Sequence, residues 1–546
     1  MKMRRLGRAD LWLLLAAILA GGLFFNAIDR LWPLADPRLA SGGFDAEGPA
    51  RDVLERQGFD LSGYQTAGRY WLDGAATDFV SESLGATATT AIREGLPTLA
   101  RRVYFKRSGE PRYFHVDVHP NGEVLGWNCL TENDTAGASL SNEDARELAQ
   151  SAIVEGLGLS LEAFEERAVA TAEQIDRRDH TFRYERPLWA QGGRERLTIT
   201  VAGSEVIHAK RNVVPPDDWR RTRRTLEATG QALETVGILL LAVGGIVAFV
   251  LFLGCLRKGQ INLRAAAVWP IAVFACLLAT YALQPADLMI RWEPLWPRWV
   301  STFRFLVFRG LQDLWIPLLL LAVTAAGLAM DRRLNGGRTV TLNLAGKGNW
   351  LHPRVAAAST RGFLIGLLCG GVLCLGFLAL ERFAGAGGSL QPRGFFFYPL
   401  NSSIPALTAL LFFFGVALAE ELGYRLFLGS WLLAKTHRRW VAILLPAIVY
   451  GLTHTRLDFL PPGHPDWARA LLLTLVGAVW GWAFLRFDAL TVVLSHFTAD
   501  LFIFNWPLLA GVSESARWTA LATIAVPLLP GLFYILTGRF RQASAD

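Results

Sequence analysis

About ten runs of apolar residues, most of them long enough to cross a bilayer, restrict what this chain can fold into. They fall at 11–28, 232–254, 266–284, 312–330, 362–381, 404–434, 440–454, 468–486, 489–510 and 517–537. A hydrocarbon core about 30 Å thick takes roughly 20 helical residues. Inside it every backbone N–H and C=O needs a partner within the protein, which leaves helices or a closed barrel. The runs are continuous rather than alternating, so the predicted fold class is an all-α polytopic membrane helix bundle of about ten spans. Composition agrees: 52% of the 546 residues are hydrophobic, and the mean hydropathy is +0.30.

The first run follows Lys2, Arg4, Arg5 and Arg8 and extends from Leu11 to Ile28. A basic start before an apolar stretch also describes a signal peptide. The run is long and has no clean small-x-small cleavage site before Asp29, so residues 1–29 read as an uncleaved membrane anchor. The net charge of +7 calls for no nucleic-acid partner, because Lys and Arg collect in short loops as the positive-inside rule predicts. A cytoplasmic N-terminus puts Arg257-Lys258, Asp331–Arg354, Lys435–Arg439 and the tail Gly538–Asp546 inside. Residues 30–230 then lie outside. The short loops and the outer domain suggest a bacterial inner membrane.

Residues 30–230 are polar and hold no run long enough to span, so they form an inserted extracytoplasmic α+β domain between spans 1 and 2. A degenerate repeat runs through them. Ala50-Arg51-Asp52-Val53-Leu54 opens a helical pattern, and Ala145-Arg146-Glu147-Leu148-Ala149 opens another; Leu61-Ser62 and Leu159-Ser160 follow in turn. Each half closes on alternating strands, Tyr113–Val118 with Glu123–Trp127 around Pro120-Asn121-Gly122, and Leu197–Val201 with Glu205–Ala209. Alternation marks half-buried strands, and Asn-Gly marks a tight turn. The two modules resemble PepSY-like domains attached to bacterial membrane enzymes. Their histidines 115, 119, 180 and 208 read as ordinary surface residues. Four of the five cysteines (Cys255, Cys276, Cys369, Cys374) lie in apolar runs; Cys129 stands alone in the polar region, which excludes an internal disulfide or thiolate cluster there.

Residues 231–355 hold helices 2–4 with their loops. Trp292, Trp296 and Trp299, with Pro294 and Pro297, read as an interfacial aromatic belt. Leu460–Trp467, with His464 and Asp466, reads either as a cover for an outer mouth or as a connector.

Within Ile404–Ala434 the charged residues are Glu420, Glu421 and Arg425. A carboxylate in a span costs roughly 2.5–3.5 kcal/mol on insertion scales, so such residues are functional by default. Glu421 and Arg425 are spaced i, i+4 on one helix face, so the arginine can neutralise one carboxylate and leave the other free to act on water. His454 ends the next run; His496 and Asp500, also i, i+4, lie in the ninth. At 1.5 Å per residue, Glu420 lies roughly 22 Å from Lys435, His454 about 21 Å from Trp440, and Asp500 about 18 Å and His496 about 12 Å from Asp488. Three helices thus bring polar groups to overlapping depths, which suits a buried hydrolytic site. A structural polar cluster is the bland alternative.

The motifs Glu420–Arg425, Tyr450–His454 and His496–Asp500 resemble, in order, the E-E-x-x-x-R, F-x-x-x-H and H-x-x-x-N/D motifs of the CPBP family. These are the CAAX prenyl endopeptidase type II and bacteriocin-processing (ABI) membrane proteins. The resemblance covers roughly residues 360–540 and makes 356–546 the expected catalytic membrane domain of a CAAX-type intramembrane endopeptidase. It implies that Glu420 is the general base that activates water, with Glu421 and Arg425 as a supporting pair and His454 assisting at the water. His496 and Asp500 would polarise the peptide carbonyl and stabilise its oxyanion. Tyr450 stands where the motif has Phe. Asp500 stands where Asn is usual; an ionised Asp cannot donate to an oxyanion, so Asp500 acts protonated or orients His496. No cofactor is favoured. The alternative is a divalent metal such as zinc on Glu420, His454, His496 and Asp500, although H-E-x-x-H is absent.

The expected partners are the lipid bilayer, a membrane-associated protein or peptide substrate, and a protein partner for the outer domain. Two other function classes remain open. One is a non-proteolytic partner, scaffold or bacteriocin self-immunity protein; the other is a proton-coupled transporter, since membrane carboxylates and histidines also relay protons.

Overall fold

The computed structural model describes residues 8–31, 45–130, 135–189, 192–334, 336–388, 398–456, 463–509 and 514–537. Helix α1 (Arg8–Leu31) enters the bundle. The polar region follows, with α2 (Glu47–Arg56), β1 (Gln65–Leu72), α3 (Gly74–Leu84), α4 (Ala88–Arg93), β2 (Leu99–Lys106), β3 (Tyr113–Val118) and β4 (Val124–Leu130). Its second half has α5 (Asn142–Ser151), β5 (Glu165–Glu173), β6 (Arg178–Pro187), β7 (Arg194–Ala202) and β8 (Glu205–Val214).

These strands form one eight-stranded sheet in the order β1-β2-β3-β4-β8-β7-β6-β5, antiparallel throughout. Each half is a helix followed by four antiparallel strands in sequence order, with α3 and α4 inserted between β1 and β2 in the first, and the halves join through their last strands, β4 and β8. The two alternating pairs read from the sequence are β3–β4 and β7–β8, and the turn glycine Gly122 takes φ +98°. One face is apolar and covered by α2 and α5: Val53, Leu54, Phe105, Phe114, Trp127, Ile153, Phe182 and Ile199 form its core.

The four histidines of this domain are not surface residues. His119 and His180 are fully buried. His119 Nδ1 accepts from Asn121 N, so Nε2–H donates to the Ile92 carbonyl at 2.7 Å. His115 of β3 and His208 of β8 flank Asn128 of β4 on the opposite face and are half-buried. Polar alternation predicted exposure there, but the central strands of an eight-stranded sheet shield one another, and the helix Pro285–Ile290 packs on Tyr104, beside His115, on the same face.

Helix α6 (Asp217–Arg257) leads from β8 into the membrane part. There follow α7 (Leu263–Ala282), α8 (Pro285–Ile290), α9 (Arg298–Asp313), α10 (Trp315–Arg333), α11 (Val340–Gly346), α12 (Pro353–Ala384), α13 (Pro405–Glu421), α14 (Ser430–Thr436), α15 (Arg439–Thr453), α16 (Asp466–Arg486) and α17 (Ala489–Phe504). Residues Glu514–Leu536 close the described chain. Among the described residues, eight helical segments are long and apolar enough to cross a membrane, and Arg439–Thr453 and Ala489–Phe504 are shorter apolar helices. All ten apolar runs of the sequence fall on these segments, and the chain is a multi-pass membrane protein. Helix α12 packs against α1 and α17. Small residues permit the approach: a Cβ at Gly366 would lie 2.5 Å from the Ser495 carbonyl.

The sheet stands on the membrane part by its β1 edge. The Tyr70 amide of that edge donates to Asn401 Oδ1 at 2.8 Å, and Lys106 Nζ donates to the carbonyls of Ile290 and Trp292 at 3.0 and 2.8 Å. Trp292 therefore does not belong to an interfacial belt. It is buried against Tyr104, Ala286 and Met289 in this joint, whereas Trp296 and Trp299 are exposed. Of the segment Leu460–Trp467, residues 460–462 lie outside the described residues, as does the tail 538–546. Gly463-His464 pairs with Gly387-Gly388, and Asp466 begins α16.

Candidate active site

Glu420 and Glu421 are the last residues of α13, and a π-helical segment, Leu422–Gly429, follows at once. Such wide turns gather at functional sites. The expectation of a continuous α-helix fails here, but the pairing it implied survives: Arg425 Nη1 lies 3.0 Å from Glu421 Oε1. His454 is the C-cap of α15, and His496 and Asp500 lie within α17, every residue of which is buried.

All six residues converge. Glu420 Oε1 is 3.3 Å from His454 Nε2, and Glu420 Oε2 is 3.8 Å from His496 Nε2. His496 Nδ1 is 2.8 Å from Glu421 Oε1, and its Nε2 is 3.5 Å from Asp500 Oδ2. Exposure separates the two glutamates. The Glu420 side chain is 23% exposed, against 2% for Glu421, Arg425 and His496. Glu420 is thus the carboxylate an incoming molecule can reach, and its buried Oε2 makes no hydrogen bond among the described residues.

The second nitrogen of each ring shows where its proton sits. His454 Nδ1 lies 2.7 Å from the Tyr450 carbonyl, which can only accept, so Nδ1 carries hydrogen and Nε2 faces Glu420. His496 Nδ1 meets Glu421, a carboxylate already paired with arginine, so it also donates and turns Nε2 towards Glu420 and Asp500. With both rings neutral, three carboxylates would face one guanidinium. A buried cluster tolerates no such excess, so it holds at least one further proton.

Several supporting residues, Tyr450 apart, carry no sequence signal. Trp480 stacks on His496 with ring centres 4.0 Å apart, and its Nε1 donates to Ser495 Oγ at 2.9 Å. Tyr424, Tyr450 and Trp480 surround the Arg425 guanidinium at 5.6, 4.9 and 5.2 Å, and Arg425 Nη2 donates to the Gly477 carbonyl. Aromatic residues and glycine in an apolar run look like ordinary packing. Arg469 could have been found: it is an ionisable residue inside an apolar run, and its Nε donates to the His454 carbonyl at 2.7 Å.

Among the described residues no group of three or more His, Cys, Asp or Glu is placed to hold a metal ion.

An acid pair and two imidazoles buried where membrane helices meet, with one carboxylate accessible, define a membrane-embedded acid–base site. Residues 402–502, which contain all six side chains, match the family model described as Type II CAAX prenyl endopeptidase Rce1-like. The segment is Rce1-like, in agreement with the family its three motifs resemble, and this supports a CAAX-type intramembrane protease in general terms. The eight-stranded sheet lies beyond the match. No curated protein and no solved structure matches the chain.

Proposed function

We propose that the protein is an intramembrane endopeptidase that hydrolyses a peptide bond of a membrane-associated protein or peptide, with water activated by Glu420. The observation that carries this reading is the accessible Glu420 carboxylate held between the Nε2 atoms of His454 and His496. Glu420 takes a proton from water as the oxygen attacks the peptide carbonyl, with His454 Nε2 sharing that proton. The C–O bond forms, and the carbonyl oxygen becomes an oxyanion facing the Nε2–H of a protonated His496. Asp500 balances the charge of that ring, the second of the two roles open to it. Glu421, fixed by Arg425, holds the ring through Nδ1. Collapse breaks the C–N bond, and Glu420 returns the proton to the leaving nitrogen. General acid–base catalysis by one side chain contributes roughly 10²–10⁴-fold.

The test is cleavage of a fluorogenic peptide library by detergent-purified wild type and Glu420→Gln, with and without chelator. Loss of activity in the variant, with wild-type turnover retained under chelator, is the expected result. Retained turnover by Glu420→Gln would refute the mechanism. The ten apolar helices are proposed to span a bacterial inner membrane with both termini cytoplasmic and the sheet domain outside. Prenylated proteins are not general bacterial substrates, so the family's name does not choose the peptide.

A further inference from the structure

Helix α6 is continuous from the outer sheet to the neighbourhood of His454. Its 41 residues span about 60 Å at 1.5 Å per residue, and it packs along α15. At the closest approach it carries Gly237, where a Cβ would lie 2.6 Å from Thr453 N and 2.7 Å from Leu452 C. The backbone of α6 thus bears directly on the residue before His454. About two turns nearer the sheet, Gly230 sits against Asp466, the first residue of α16: a Cβ there would lie 2.7 Å from Asp466 Cβ.

A ladder of charges runs beside these contacts. In the sheet domain, Asp78 and Glu82 of α3 meet Arg223 of α6 at 2.5 and 2.8 Å. Arg223 Nε continues to Glu227 at 3.4 Å, and Glu227 to Arg456 at 3.5 Å. Arg456, two residues after His454, also reaches Asp466 at 3.6 Å. From the same end of α16, Arg469 donates to the His454 carbonyl. Packing and charge therefore converge on the same short stretch of backbone from two sides.

We propose that α6 is a positioning strut. Through Gly237 against Thr453, and through the ladder from Asp78 to Arg456, the outer sheet sets the placement of His454 Nε2 against Glu420. Arg456 and Arg469 are positioning residues that act through the backbone of His454. This rests on the reading of Glu420 and His454 as the pair that activates water.

The experiment uses the full chain in proteoliposomes, with Gly237→Ala, Arg223→Gln, Arg456→Gln and the double variant Arg223→Gln/Arg456→Gln. Arg102→Gln, which breaks an ion pair with Asp117 elsewhere in the sheet, is the control. Two quantities are read: kcat and KM on a fluorogenic peptide, and the 15N imidazole resonances of His454, assigned by their loss in His454→Gln. Gly237→Ala and Arg456→Gln should lower kcat by roughly 2- to 30-fold with KM little changed, and should shift the His454 resonances. The double variant should be no worse than Arg456→Gln alone, and Arg102→Gln should move neither quantity. Unmoved His454 resonances in Gly237→Ala and Arg456→Gln, or additive effects in the double variant, would overturn the strut. Should Gly237→Ala not accumulate, Arg456→Gln decides by the same criteria, because Arg456 is partly exposed. The resonances decide even if the wild type cleaves no peptide, so failure of the strut and failure of the protease reading are distinguishable.

Discussion

Arg425 is 2% exposed in a span, with its charge held by Glu421, the Gly477 carbonyl and three aromatic rings. Removing one partner of a buried pair leaves the other charge uncompensated and costs about 3–5 kcal/mol. Arg425→Gln should therefore lower the unfolding midpoint in detergent markedly as well as abolish turnover. Arg425→Lys should restore little, because a lysine lacks the planar fork that reaches Glu421 and Gly477 together. A variant with an unchanged midpoint would show that the pair is not a structural element. At this scale the sequence was most informative. A charge in an apolar run is expensive enough to announce itself, and the six residues singled out in the sequence meet; Arg469, also inside an apolar run, was overlooked. Trp480 and Tyr424 give no such notice, since an aromatic ring costs nothing in a bilayer and its partners come from other helices.

At the scale of elements, β3 and β8 place His115 and His208 on the face of the sheet opposite α2 and α5. Burial, the larger cause, with the Arg102 charge at His115 and the Lys210 charge at His208, pushes both down to about 4 from the ordinary 6.5. The folded domain thus resists protons that the unfolded chain accepts. Stability is complete above about pH 6.5 and is lost as pH falls from there towards 4. Hydrogen-exchange protection of β3, β4 and β8, corrected for intrinsic rates, should fall across that window in the wild type. It should fall less in His115→Gln/His208→Gln; equal slopes in the two would refute the assignment. Alternation identified these strands, because period 2 is local. The burial of the histidines was not legible, since it depends on how many strands the sheet gathers. The π-helical turn after Glu421 was equally hidden: its apolar residues fit an α-helix as well, and packing decides between the two.

For the whole molecule, the proposed topology predicts that cysteines introduced at Lys258, Lys347 and Lys435 are shielded from an impermeant thiol reagent in intact cells. Cysteines at Glu165 and Arg183, exposed in the outer sheet, should label. The opposite pattern would invert the topology and with it the side from which substrate arrives. That the chain spans a membrane many times, divides into a polar insert and an apolar bundle, and carries acids and imidazoles at overlapping depths was determined by the sequence alone. Each follows from the local cost of placing a side chain in hydrocarbon or in water. Tertiary structure decided which ring nitrogen faces which carboxylate, and that Glu420 rather than Glu421 is accessible. It also decided that Trp292 closes a domain joint, and that α6 connects the sheet domain to the backbone beside His454. Those outcomes depend on the distances between helices far apart in the chain, which no local preference encodes.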